Sequence, residues 1–182
     1  MQCSSAMLQM NKKVYDQCLN KLNRYAKQLG LEIYYDDTFA YLPQESIIIL
    51  NKKDKGTLNL ILYYLHELGH AIQTDSYFHK LKYKTLNIKK SIILEQEYTA
   101  WVNGTHIALE LNIFHLFSEK YLREWVSAWG EYTHWLNKVD NKQLNSLYRY
   151  RWRRGREGKG KIADTRLTSP KLFNFFAPKK KR

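Results

Sequence analysis

A chain of 182 residues, 44% hydrophobic and 14% aromatic, can bury one sizeable core and leaves no room for two ordinary domains. Two cysteines, Cys3 and Cys18, exclude a disulfide framework and a thiolate metal site, and no stretch approaches the roughly 18 apolar residues of a membrane span. The formal charge of +13 is uneven: residues 149–182 hold 13 of the 30 Lys and Arg against only Glu157 and Asp164, a net of +11, which leaves +2 on residues 1–148.

A nearly neutral body (1–148) followed by a basic, flexible tail (149–182) is therefore expected. The start, Met1-Gln2-Cys3-Ser4-Ser5-Ala6, lacks the basic and apolar regions of a signal peptide, so a soluble intracellular protein with no membrane partner is expected too. Its wealth of Lys, Asn and Ile suits an AT-rich genome, such as a viral one.

In chain order, Val14, Cys18, Leu19, Leu22, Tyr25 and Leu29 recur at helical spacing, which predicts an amphipathic helix over 11–29 stopped by Gly30. Two short β-branched or aromatic runs, 31–35 and 45–50, read as strands separated by Asp36, Asp37 and Pro43. After the turn at 51–56, Thr57 is a plausible cap for the next helix.

That helix carries His66-Glu67-Leu68-Gly69-His70. Residues four apart lie on one helical face, so both imidazoles can reach a single ion with Glu67 beside them, half of a zinc hydrolase site. Catalytic zinc sites use three protein ligands and leave a position for water. The third is expected from the next long helix, predicted over 92–111. Glu97 is favoured, because its small neighbour Ala100 permits close helix approach; Glu95 lies about 200° around the helix and is the competitor. A further helix is predicted over 119–136. His106, His115 and His134 read as surface or satisfied core histidines.

These residues carry a family resemblance. His66-Glu67-Leu68-Gly69-His70 followed by Glu97-Tyr98-Thr99-Ala100 resembles the gluzincin-type zinc metallopeptidases, above all the small ImmA/IrrE-like group. The similarity spans residues 11–111 and is specific in the two motifs. It implies a minimal zincin-like α+β domain, mostly helical with a small sheet beside the metal helix, Zn²⁺ held by His66, His70 and Glu97, and Glu67 as the base that takes a proton from water and passes it to the leaving amine. An edge strand beside the metal helix would pair with extended substrate, the place given to 45–50. Tyr63 and Tyr98 lie closest in sequence as donors to the tetrahedral intermediate. Where related chains often have an acidic or amide residue four after the glutamate, this one has Trp101, so the partner of a zinc histidine is not identified. A second resemblance is to the SprT-like DNA-associated proteases, whose third ligand is a histidine; His79 is the nearby candidate.

In the tail, Arg149, Arg151, Trp152, Arg153, Arg154 and Arg156 interleave guanidinium groups with aromatic rings, a pattern suited to phosphates and stacked bases. Leu172, Phe175 and Phe176 resemble the clamp-binding PIP box, with Ser169 where Gln is usual, and imply a sliding clamp as partner or a tail that folds back on its own domain. Pro178-Lys179-Lys180-Lys181-Arg182 resembles a nuclear import signal. Together these features predict a zinc metallopeptidase acting on DNA-associated proteins. The alternatives are a regulatory protease cutting one repressor, and a nucleic-acid-binding protein with a structural or degenerate zinc site.

Overall fold

A computed structural model describes residues 10–43, 45–73 and 85–140. The order is α1 (Lys12–Gln28), β1 (Glu32–Asp36), β2 (Ala40–Leu42), β3 (Ile47–Asn51), a 3₁₀ turn (Lys52–Asp54), α2 (Leu58–Ala71), α3 (Leu86–Glu110), a second 3₁₀ turn (Phe114–Leu116) and α4 (Ser118–Lys138). Helices dominate and one small mixed sheet accompanies them, an α+β architecture.

Local chemistry sets the ends of α1. The Asn11 side chain accepts a hydrogen bond from the Lys13 backbone N–H at 2.9 Å. At the far end Gly30 takes φ +71°, and Leu31 N–H returns to the Ala26 carbonyl at 2.9 Å, closing the helix. Tyr15, Cys18, Leu22 and Ala26, spaced three and four apart, form the buried stripe between.

The sheet has the order β1-β3-β2, with β1 parallel and β2 antiparallel to β3. The expected strand at 45–50 is thus the central one, paired on both sides, and cannot serve as the edge that receives a substrate. The strand that displaces it is Ala40–Leu42. It is only three residues long and ends against Pro43, too short to show an alternating pattern. Ile48 and Leu50 of β3 point into the core, and Phe39, just ahead of β2, stacks on Tyr63 of α2 with ring centroids 4.9 Å apart.

Helix α2 is the centre of the molecule. Leu60, Ile61, Leu62, Tyr64, Leu65 and Leu68 are fully buried, so the helix is apolar nearly all round, as a core helix must be. Thr57 occupies its cap position, but the hydroxyl donates to the Asp54 carbonyl at 2.7 Å and makes no cap bond to the helix.

Helix α3 begins six residues before its predicted start. Lys89 and Lys90 interrupt the apolar spacing there, yet Leu86, Ile93 and Leu94 pack beneath Leu136, Val139 and Trp135 at the end of α4, and Lys89 itself is buried. At its other end Asn112 takes φ +51°, Ile113 N–H reaches back to the Ala108 carbonyl, and Lys21 Nζ donates to the Leu111 carbonyl at 2.7 Å.

Helices α2 and α3 meet with almost no side chain between them. A Cβ on Gly69 would fall on the Ala100 carbonyl oxygen, and one on Gly104 would lie 2.9 Å from the Leu65 carbonyl oxygen. Asn103 Nδ2 donates to the Gly69 carbonyl at 3.1 Å across the same contact. No helix among the described residues is long and apolar enough to cross a membrane.

Candidate metal centre

The Gly69–Ala100 contact fixes where the candidate ligands meet. Gly69 immediately precedes His70 on α2, and Ala100 lies three residues after Glu97 on α3, so the closest approach of the two backbones sets the imidazoles opposite the carboxylate. Glu97 Oε2 lies 3.2 Å from His66 Nε2 and 3.5 Å from His70 Nε2, and the two imidazole nitrogens are 3.1 Å apart. Glu95 is exposed and takes no part. The His66 side chain is 3% exposed while His70 and Glu97 are 13% and 14% exposed, so the cluster opens to solvent on the His70–Glu97 side.

His66, His70 and Glu97 form a group that could hold a metal ion. Its dimensions suit a small tetrahedral cation. Metal–ligand bonds of about 2.0–2.1 Å at tetrahedral angles separate neighbouring donors by about 3.3 Å, and the three observed separations of 3.1, 3.2 and 3.5 Å bracket that value. Two imidazole nitrogens and one carboxylate oxygen are a donor set that zinc accepts.

The two imidazoles are supported differently. His70 Nδ1 lies 3.2 Å from Gln73 Oε1, and Gln73 Nε2 donates to the Gln96 carbonyl at 2.6 Å. His66 instead lies against the Trp101 ring, with centroids 4.6 Å apart and planes inclined by 36°. Among the described residues, its Nδ1 and the Trp101 Nε1 are both buried without a hydrogen-bond partner. Trp101 is wedged edge-on between Tyr63 and Tyr121, and the Tyr121 hydroxyl donates to the Trp101 carbonyl at 2.9 Å. Trp101 thus orients His66 by packing, where the sequence had offered no partner.

Two further buried groups belong to the surroundings of the cluster. Glu67 is buried beside its neighbours on α2. Tyr132 is buried on the inward stripe of α4 with Tyr121, Ala128 and Leu136. Burial, then the Glu97 and Glu67 carboxylates, pushes its phenol well above the ordinary tyrosine range. Burial alone would raise the Glu97 carboxyl, but the His70 and His66 rings outweigh it and hold that carboxyl well below the usual range.

Of the tyrosines expected to serve the site, Tyr98 turns outward, half exposed, against Trp125 and Trp129. Tyr63 is held by Phe39 and Trp101, and burial raises its phenol. Tyr132 was missed, although its place on the apolar stripe of the last helix marks it as inward. Gln73 was missed as well; its position one turn beyond His70 is the only signal the sequence offers. His106, His115 and His134 are exposed. His79, the arginine-rich run from Arg149 to Arg156, and Leu172, Phe175 and Phe176 lie outside the described residues. No protein-family model, no curated protein and no solved structure matches this chain.

Proposed function

We propose that the protein is a zinc-dependent peptidase with a minimal zincin-like body of gluzincin type, acting on proteins associated with nucleic acid. The observation that carries this reading is the triangle of His66 Nε2, His70 Nε2 and Glu97 Oε2, with edges of 3.1, 3.2 and 3.5 Å. Three protein donors on a partly exposed face suit a catalytic ion better than a structural one, which is normally closed by four. Bound zinc would supply Lewis acidity, activating a water molecule and polarising a carbonyl.

The chain's own residues do the rest. Glu67, adjacent to His66 and buried, accepts the proton of the attacking water and returns it to the leaving amine. Tyr132, at the Glu97 side of the cluster, carries a hydroxyl able to donate to the developing oxyanion. An extended substrate would lie along the sheet beside α2 rather than pair with β3, whose two sides are occupied by β1 and β2.

The tail supplies location in this reading. Arg149, Arg151, Trp152, Arg153, Arg154 and Arg156 bind nucleic acid, and Leu172, Phe175 and Phe176 offer a plug to a sliding clamp. The protein acts inside the cell, with nuclear entry through its basic end. Metal analysis of wild type beside Glu97→Ala, and proteolysis assays of wild type beside Glu67→Gln, test the proposal. One zinc per chain, lost in Glu97→Ala, and hydrolysis abolished in a zinc-loaded Glu67→Gln are expected. Zinc without hydrolysis in the wild type would instead identify a structural ion in a nucleic-acid-binding protein.

A further inference from the structure

Gln73 belongs to no part of the motif, yet it touches both halves of the metal cluster. The Gln96 carbonyl oxygen can only accept a hydrogen bond, so the atom 2.6 Å from it must be the Gln73 amide nitrogen. This fixes the sense of the amide, and the oxygen is left facing His70 Nδ1 at 3.2 Å. An amide oxygen cannot donate, so the proton of that contact belongs to Nδ1, and Nε2 is the nitrogen of His70 that faces Glu97 Oε2 and His66 Nε2. The other end of the bridge holds the backbone of the residue immediately before Glu97. One side chain therefore sets the ring of one ligand and ties down the helix turn that bears another.

His66 gives the contrast. Among the described residues its Nδ1 is buried with no acceptor, and its ring is held by the face of Trp101. No described residue accepts a hydrogen bond from that nitrogen, so the ring is placed by packing.

We infer that Gln73 is a positioning residue for the metal centre, holding the His70 ring with its proton on Nδ1 so that Nε2 is the nitrogen turned to the ligand cluster, and linking that ring to the α3 turn that carries Glu97. This rests on the metal-site reading above, and it assigns the work that an acidic or amide residue four after Glu97 would otherwise do, a position taken here by Trp101. Partners of this kind orient a ligand ring and raise its basicity, and their loss typically weakens metal binding about 10- to 100-fold.

The test uses the full chain in three forms: wild type, Gln73→Met, which keeps the shape and loses both hydrogen bonds, and Gln73→Glu, which keeps an acceptor for His70. Long-range ¹H–¹⁵N spectra of histidine-labelled, metal-free protein read the ring directly, and zinc affinity is measured by chelator competition. The His70 signals should show Nδ1–H in wild type and in Gln73→Glu, and lose that state in Gln73→Met. Zinc should bind about 10- to 100-fold more weakly to Gln73→Met, with affinity largely recovered in Gln73→Glu. An unchanged His70 ring and wild-type zinc affinity in Gln73→Met would overturn the inference. Absence of zinc binding by the wild type would overturn the metal reading on its own, because the ring state is observed without an ion.

Discussion

Tyr132 separates the candidate centre from a bare trio of ligands, because its buried phenol, on a third helix, is close enough for the Glu97 carboxylate to raise its pKa. A donor aimed at the developing oxyanion is worth about 10²- to 10³-fold in kcat, or about 2.7–4 kcal/mol. Tyr132→Phe keeps the ring and its packing, so it should retain one zinc per chain and lose about a hundredfold in kcat on an unstructured protein substrate, with KM little changed. Loss of zinc in that variant would show instead that the phenol orients Glu97. At this scale the sequence was legible where the ligand cluster is written as spacing. His66 and His70 lie four apart on one helical face, and Glu97 follows from the need for a third ligand and a small residue at Ala100. Gln73 and Tyr132 were not legible for the opposite reason: a glutamine at a helix end and a tyrosine on an apolar stripe are commonplace, and only the tertiary contact gives them a role.

Between elements, the contact of α2 with α3 decides whether a site exists at all. Exchanging glycine for alanine inside a helix normally stabilises it by about 1 kcal/mol. At Gly130, where no atom lies within 4 Å of an added Cβ, Gly130→Ala should follow that rule and raise the unfolding midpoint. At Gly69 the same methyl would overlap the Ala100 carbonyl oxygen. Overpacking costs about 1–3 kcal/mol, and backbone against backbone has no rotamer to yield, so the penalty exceeds the propensity gain. Gly69→Ala should therefore lower the midpoint in urea while Gly130→Ala raises it, and should also release zinc, because the helices must part and carry Glu97 from the imidazoles. A midpoint for Gly69→Ala at or above wild type would contradict the close crossing. The long periodic helices were readable within a few residues. The start of α3 was not, since its amphipathic face is completed by the end of α4, and neither was β2, whose partner strand supplies the hydrogen bonds that three residues cannot advertise.

Across the whole molecule, charge and chemistry are divided along the chain. Residues 1–148 carry the His66–His70–Glu97 cluster at a net charge of +2, while residues 149–182 carry +11. A body so nearly neutral gains little nonspecific attraction to phosphates from its own charge, so affinity for nucleic acid should reside in the tail. If the five arginines between Arg149 and Arg156 each neutralise one phosphate, log K falls with log salt at a slope of about −4 to −5, a loss of about 10²- to 10³-fold between 50 and 200 mM. Deleting 149–182 should flatten that slope towards zero while leaving zinc content and hydrolysis of a nucleic-acid-free substrate unchanged. Trp152→Ala should weaken single-stranded binding by about 1–3 kcal/mol without altering the slope, since stacking releases no counterions. Fluorescence anisotropy across a salt series distinguishes the two. A truncated chain with the full slope would move the nucleic-acid surface onto the body, and the tail would then have to be explained by its clamp-like Leu172, Phe175 and Phe176 alone.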